Sequence, residues 1–287
     1  EDGMANFLRK VLPEKWAYAI TRFKNVNLQN IAFKRARAKP EQVSDFLKEK
    51  VRDSLGGAMN EADFTPPYNP WEQRLCLVPN GDMFTAMREG KASIVTDHIK
   101  RFTAKGIELE SGQHLDADII VTATGLNLAM AGKVAFSVDG QAINWHEHFY
   151  YKGCMFSNVP NLSIVFGYLN ASWTLKADIV ASYTCRLLNH MAQTGTQIAL
   201  PDLNDEDAEA ADVVFDFSSG YVQRALDYLP RNGRADPWRL NQDYLHDKWL
   251  LLNASVQDGV VKFARAGELT VQQNAVRDPE PLAMAAE

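Results

Sequence analysis

Several short stretches of this chain hold residue types that could do chemistry. Phe64-Thr65-Pro66-Pro67-Tyr68-Asn69-Pro70-Trp71 carries three prolines, which remove backbone donors and fix φ, so it reads as a long irregular loop. Loops of this length inside a globular chain are often functional. Arg74 follows at the entrance of a short strand expected over Glu72–Pro79. There it is either a fixed cation for a negative charge or a structural arginine paired with Glu72 or Asp82. Further along, Asn170-Ala171-Ser172 follows a Gly-ended strand and opens a helix. Its free N–H groups would aim at whatever lies above the sheet, a place for a polar or anionic cofactor edge. Thr124-Gly125 closes another apolar strand with small residues that allow close approach.

Other candidates lead to less. His146-Glu147-His148 would put both rings on one face of a strand, but no third ligand lies at a recognisable spacing, so no metal is expected. Asp97-His98 could suggest acid–base work, yet no GxSxG and no Cys with a partner His accompany it, which argues against a hydrolase. Lys34, Arg35, Arg37 and Lys39 crowd one segment before Pro40. They read as a solvated helical face, with an anionic cofactor or a membrane surface as the alternative.

The elements that must position these residues follow from periodicity. Residues 4–58 read as helical, with apolar positions at Phe7, Leu8, Val11 and Leu12, then Trp16, Ala19, Ile20 and Phe23; Pro13 opens a second helix. After Pro40 a further helix should bury Val43, Phe46, Leu47 and Val51 and stop at Gly56-Gly57. Asp82 is expected to cap a short helix holding Phe84 and Met87. Strands are expected at Ser93–Thr96, around Ile99–Phe102 and at Gly106–Leu109, with a turn at Ser111-Gly112. Ile119-Ile120-Val121 and Pro160–Tyr168 read as strands covered on both faces, as in a parallel sheet. Leu175, Ile179, Tyr183, Leu187 and Met191 mark the buried stripe of a long helix ended by Gly195. An acidic patch runs from Asp202 to Asp216, aromatics follow at Trp238, Tyr244 and Trp249, and a disordered tail is expected after about Val271.

Composition bounds the rest. The chain has 287 residues, 46% hydrophobic and 23% charged, which is globular and long enough for a sizeable core. Thirty basic against thirty-six acidic side chains give a net charge of −6, which argues against nucleic acid as partner. No run of about 18 apolar residues suggests a membrane span. Three scattered cysteines fit a reducing compartment, so a cytoplasmic location is expected. Glu1-Asp2-Gly3 is neither an initiator methionine nor a signal peptide, so the chain is expected to be a piece of something longer.

Three of these segments together resemble one family. Asp118-Ile119-Ile120-Val121-Thr122-Ala123-Thr124-Gly125 resembles the "ATG" strand of flavin-containing and type I Baeyer–Villiger monooxygenases. Two more specific segments, from Phe64 to Pro79 and from Val165 to Asp178, are similar to the branch that includes the ethionamide-activating monooxygenases. The similarity runs from about residue 7 to about residue 265. The family's two Gly-rich dinucleotide turns and its FxGxxxHxxxW fingerprint do not occur in this sequence.

The resemblance therefore implies an α/β chain, the C-terminal portion of a flavoprotein with two dinucleotide-binding domains, beginning with a helical segment. Residues 1–70 would be a helical linker, 71–125 the end of the NADP-binding domain, 126–270 the end of the FAD-binding domain with an extension, and 271–287 the tail. It implies a flavin-dependent monooxygenase that uses FAD, NADPH and O₂. Oxygen would enter a ketone through a C4a-peroxyflavin kept anionic by the guanidinium of Arg74. Sulfide oxidation is the expected side activity, and a nitrogen- or sulfur-oxidising monooxygenase the nearest rival. Asn170, Ala171 and Ser172 would face the flavin's pyrimidine edge. Thr124 and Gly125 would lie where the nucleotide domain meets the FAD domain, touching cofactor or forming a hinge, and Tyr68 and Trp71 would line the substrate channel. Without the missing half the chain is expected to bind FAD weakly or not at all. The expected partners are a small ketone or sulfide and the N-terminal half as a separate chain. The different-class alternative is a non-catalytic fragment or partner subunit.

Overall fold

A computed structural model describes residues 2–57, 59–78, 80–203 and 218–269. The acidic patch beyond Leu203 and the expected disordered tail lie outside the described residues, apart from Asp202 and Leu203 themselves. The chain divides into two units, one running to Leu126 and taking in a short later segment that ends at Tyr221, the other starting at Asn127.

The first unit begins with α1 (Gly3–Val11), α2 (Glu14–Ala38) and α3 (Pro40–Ser54). Their boundaries follow local chemistry. Asp2 caps α1, its Oδ1 accepting from Ala5 N at 3.1 Å. The hydrogen bond from Lys24, at 2.6 Å, helps hold the Asp2 carboxyl down at about 2. Pro13 and Pro40 precede or open the next two helices, and Gly56 and Gly57 end α3 in the left-handed region, where a side chain would be strained. The expected apolar stripes, in contrast, are not buried. Alanines make the tight contacts of α2, at Ala17 and Ala36, while Trp16 and Phe23 stay exposed, Phe23 by 73%. In α3, Phe46 is exposed and Val43, Leu47 and Val51 are only half-buried. Small residues let helices approach closely, and the large ones are left outside the contact. Lys34, Arg35, Arg37 and Lys39 are all exposed, at or just past the α2 C-terminus, where positive charge suits the helix dipole.

A short helix, α4 (Asp82–Arg88), follows; its N-cap is Gly81 in the left-handed region, and Asp82 is the first helical residue, not the cap. The sheet of this unit is antiparallel, β1 (Ile99–Thr103), β2 (Gly106–Leu109) and β3 (His114–Asp116). The turn at Ser111-Gly112 joins β2 to β3 as expected. At Gly106 an added Cβ would lie 1.9 Å from the Leu115 carbonyl oxygen, so the hairpin admits only glycine there.

The expected strand at Ser93–Thr96 carries no ladder, and neither does Glu72–Pro79, whose described residues make only an isolated bridge, between Pro70 and Gln73. Asp118–Gly125 is the largest departure: it pairs with no described strand, and Ile119 and Val121 are each 82% exposed. A strand needs a neighbour to accept and donate along its ladder, and the described residues supply none.

In the second unit Pro160–Tyr168 is likewise unladdered, held instead by single bonds such as Ile164 N to Cys154 O at 2.8 Å. The ordered sheets are small: β4 (Ser137–Val138) with β5 (Gln141–Ala142), β6 (Tyr150–Tyr151) with β7 (Met155–Phe156), and β8 (Ile198–Pro201) with β9 (Val261–Ala264), all antiparallel. Among the described residues the parallel sheet expected from the apolar runs is not formed; they make up a mixture of helices and small sheets.

The long helix α5 (Trp173–Thr194) matches expectation: Ser172 caps it, Gly195 ends it in the left-handed region, and Leu175, Ile179, Tyr183, Leu187 and Met191 are buried. Ile179, Tyr183, Leu187 and Met191 join Phe149, Trp238 and Leu251, the last on α6 (Tyr244–Leu252), in the main core. That core also contains charge. Lys176 of α5 meets Asp247 of α6 at 2.6 Å, with side-chain exposures of 0% and 1%. The Tyr168 hydroxyl donates to the same carboxylate at 2.7 Å. Burial pushes the Asp247 carboxyl up, and Lys176 opposes it. A second pair, Lys152 and Asp258 at 2.9 Å, includes the Tyr151 hydroxyl as donor.

Among the described residues no helix is long and apolar enough to cross a membrane.

Removing one partner of a buried pair strands the other charge. Asp247→Ala should destabilise the second unit by about 3–5 kcal/mol, more than the shape-matched double change Lys176→Met with Asp247→Leu. Urea unfolding followed by circular dichroism measures both, and equal losses would contradict the pairing.

Candidate functional site

On the first unit the proline-rich loop is braced from within. Asn69 N donates to Glu72 Oε2 at 2.9 Å, the Asn69 side-chain amide donates to Glu72 Oε1 at 2.8 Å, and Glu72 N donates back to Asn69 O at 3.0 Å. The two bonds from Asn69 hold the Glu72 carboxyl below the usual carboxylate range. Trp71, at φ 68°, takes a left-handed conformation unusual for a bulky residue, and its ring meets Phe33 of α2 edge-on at 5.6 Å.

Arg74 follows, exposed, on irregular chain and not in a strand. Among the described residues it forms no hydrogen bond or ion pair. Glu72, one of its two expected structural partners, has both carboxylate oxygens engaged by Asn69.

Beside this loop lies a cleft of about 340 Å³ against α3, lined by Leu47, Val51, Phe64, Tyr68, Leu75 and Phe84 among others. Of the two aromatics read as channel-lining, Tyr68 borders this cleft and Trp71 does not.

Thr124 and Gly125 are exposed on the same unit. Gly125 has φ 113°, and an added Cβ would meet nothing within 4 Å, so its glycine is explained by backbone conformation, with no close neighbour required.

On the second unit, Asn170, Ala171 and Ser172 form the entry to α5. Ser172 Oγ accepts from Thr174 N at 3.4 Å. The N–H groups of Ala171, Ser172 and Trp173 have no acceptor among the described residues, so the helix start presents donors and the positive end of its dipole together. Gln242 clamps the loop: its Oε1 accepts from Leu169 N at 2.7 Å, and its carbonyl accepts from the Asn170 amide at 2.9 Å. Gln242 Nε2 is buried with no acceptor among the described residues. Gly167 packs so closely under Trp173 that an added Cβ would come within 2.2 Å of the indole. These donors fit the electron-rich edge of a flavin ring.

The remaining candidates have structural roles. His146 belongs to a 3₁₀ turn (Trp145–Glu147), not a strand, and His148 caps that turn. The ring nitrogens face carbonyls, His146 Nδ1 to Leu229 O at 3.2 Å and His148 Nδ1 to Ser157 O at 2.7 Å. Asp97 accepts from Ser111 N and His98 N, bonds that fasten the sheet's edge; hydrogen bonding from the Ser111 side chain first, and then from these amides, lowers its carboxyl.

Sequence reading missed Lys176, Asp247 and Gln242. Lys176 had a signal, since it sits four residues before Val180 and seven before Tyr183 on the buried side of α5. Gln242 and Asp247 had none, because their partners lie more than 70 residues away.

No family model matches the chain. Curated relatives do. The chain is 43% identical over 265 residues to a protein of an Acinetobacter species named "probable FAD-binding monooxygenase AlmA", covering 92% of this chain and 53% of the relative. It is 44% identical over 265 residues to the FAD-containing monooxygenase EthA of Mycobacterium tuberculosis, covering 92% and 54%. With the EthA of Mycolicibacterium smegmatis it shares 41% over 265 residues, again 92% and 54%. The chain thus spans about half the length of the curated relatives it matches.

Gln242→Ala should release the Leu169 amide while leaving α5 folded. Hydrogen exchange of Leu169 should speed up by about tenfold or more, for a lost bond of about 1–3 kcal/mol. Unchanged exchange there would remove Gln242 from the clamp.

Proposed function

From a chain homologous over nearly all its length to FAD-containing monooxygenases, we propose that it is the C-terminal half of one, and that the whole enzyme inserts one atom of O₂ into a ketone. The balance is ketone, O₂, NADPH and a proton giving ester, NADP⁺ and water. FAD, once bound, supplies the activation of oxygen; the work of this chain is electrostatic. The observation that carries the reading is the homology, and the state of Arg74 supports it.

A guanidinium keeps its charge at any working pH. Arg74 has no structural ion pair among the described residues and stands on a loop stiffened by Pro66, Pro67, Pro70 and the Asn69–Glu72 bonds. Placed beside the carbonyl oxygen, it stabilises the negative charge that develops there as the ketone is attacked. Tyr68 borders the space for the substrate. The donors of Ala171, Ser172 and Trp173 hold the negative edge of the cofactor, and Thr124 and Gly125 serve as a hinge or as a cofactor contact. Location in the cytoplasm accords with the reading.

The uncovered Ile119, Val121, Phe23 and Trp16 favour a further part of the proposal: the other half of the enzyme covers these faces and brings the dinucleotide-binding turns this chain lacks.

Arg74→Ala in the complete enzyme should leave NADPH consumption under anaerobic flavin reduction within about twofold and lower ketone oxygenation by about 10²–10³-fold. Unimpaired ester formation would remove Arg74 from the chemistry. The purified 287-residue chain alone should show no stoichiometric flavin absorption; a full flavin band would show that the missing half is not needed for cofactor binding.

A further inference from the structure

The cleft against α3 has features that the monooxygenase reading does not assign. Its volume, about 340 Å³, lies at the lower end of the range for small-ligand sites. Its walls are largely apolar: Leu47 and Val51 from α3, Phe64 and Tyr68 from the loop, Leu75 from the irregular segment after it, and Phe84 from α4.

Both lysines that border it are neutralised. Lys48 pairs with Glu61 at 3.0 Å and Asp45 at 3.4 Å, and Lys50 pairs with Asp53 at 3.3 Å. The Asn69 amide is spent on Glu72. Gln73, which also lines the cleft, has a neutral side chain with no hydrogen-bond partner among the described residues. A site with apolar walls, neutralised cations and only a few uncharged polar groups, the Gln73 amide and the Ser44 and Tyr68 hydroxyls, suits an uncharged, weakly polar ligand. An anion would find no open cation there, and a cation would find no carboxylate in the lining.

We infer that this cleft binds the hydrocarbon portion of a neutral, weakly polar small molecule, with Gln73 as its hydrogen-bonding group. Arg74 is absent from the lining, but it lies between Gln73 and Leu75, which line it, and each neighbouring Cα is about 3.8 Å away. The cleft is therefore a seat for the substrate's tail next to the cation, and not the reaction centre itself. This extends the proposed function by naming the substrate class, and it rests on that reading only for the reactive end of the ligand.

Binding can be read without flavin or turnover, so its failure is separate from failure of the monooxygenase reading. The 287-residue chain is titrated with N-phenyl-1-naphthylamine, a neutral probe whose fluorescence rises in apolar surroundings. Saturable one-to-one binding is expected, displaced by 2-decanone at least about tenfold better than by decanoate, for a charge left without a partner. Leu47→Asp should weaken probe binding about tenfold or more, and Phe46→Asp, on the exposed side of the same helix, should leave it within about twofold. Should Leu47→Asp unfold by circular dichroism, Val51→Phe decides instead, since it fills the cleft without adding charge. Unsaturable binding, equal loss in Phe46→Asp, binding untouched by Val51→Phe, or equal displacement by decanoate would each overturn the assignment.

Discussion

The buried contact of Lys176 with Asp247 organises the second unit. At 2.6 Å, with neither side chain in water, the pair is favourable only while both members and their further bonds are kept. Tyr168 adds a hydrogen bond to the same carboxylate and places its ring near the ammonium, at 5.5 Å from the centroid. Gly153 turns the β6–β7 hairpin close by at φ 61°, where an added Cβ would come 2.9 Å from Leu240 Cδ1 and 3.0 Å from Lys176 Nζ. One electrostatic knot thus ties α5, α6 and the segment that leads into α5.

That segment is where structure and chemistry meet. Tyr168 is anchored at its start, Gln242 grips Leu169 and Asn170, and Trp173 closes over Gly167. The donors at the helix entry are consequently held by residues that do not themselves face the ligand. Preorganisation of this kind lets backbone N–H groups stabilise charge without reorganising when a cofactor arrives. The first unit uses a different device, a loop whose freedom is removed by proline and by a single carboxylate that accepts twice from Asn69.

How much was readable in the sequence depended on whether the signal was local. Pro13, Pro40, Gly56, Ser172 and Gly195 mark helix ends through bonds to residues within four positions, and each boundary was read correctly to within a residue or two. The stripe Leu175–Met191 was equally clear. Strands failed where the ladder partner is not encoded nearby. Ile119-Ile120-Val121 has the composition of a covered strand, but composition reports an affinity for a sheet, and a ladder is a property of two segments. Burial on α2 failed for a related reason: Ala17 and Ala36 were overlooked because alanine carries little hydrophobic signal, yet only small residues allow the close contact. At the candidate site, Arg74, Tyr68 and the α5 entry could be singled out from local context, whereas Gln242 and Asp247 act across long separations and leave no mark in the sequence around them.

The unladdered run from Asp118 to Gly125 has a practical consequence. Its exposed, β-branched apolar residues leave backbone donors and acceptors open along a stretch with no proline inside it. Such a stretch is a template for strand addition by another copy of itself. A lysine or proline gatekeeper at Val121 would interrupt that template and help keep the isolated polypeptide dispersed at high concentration.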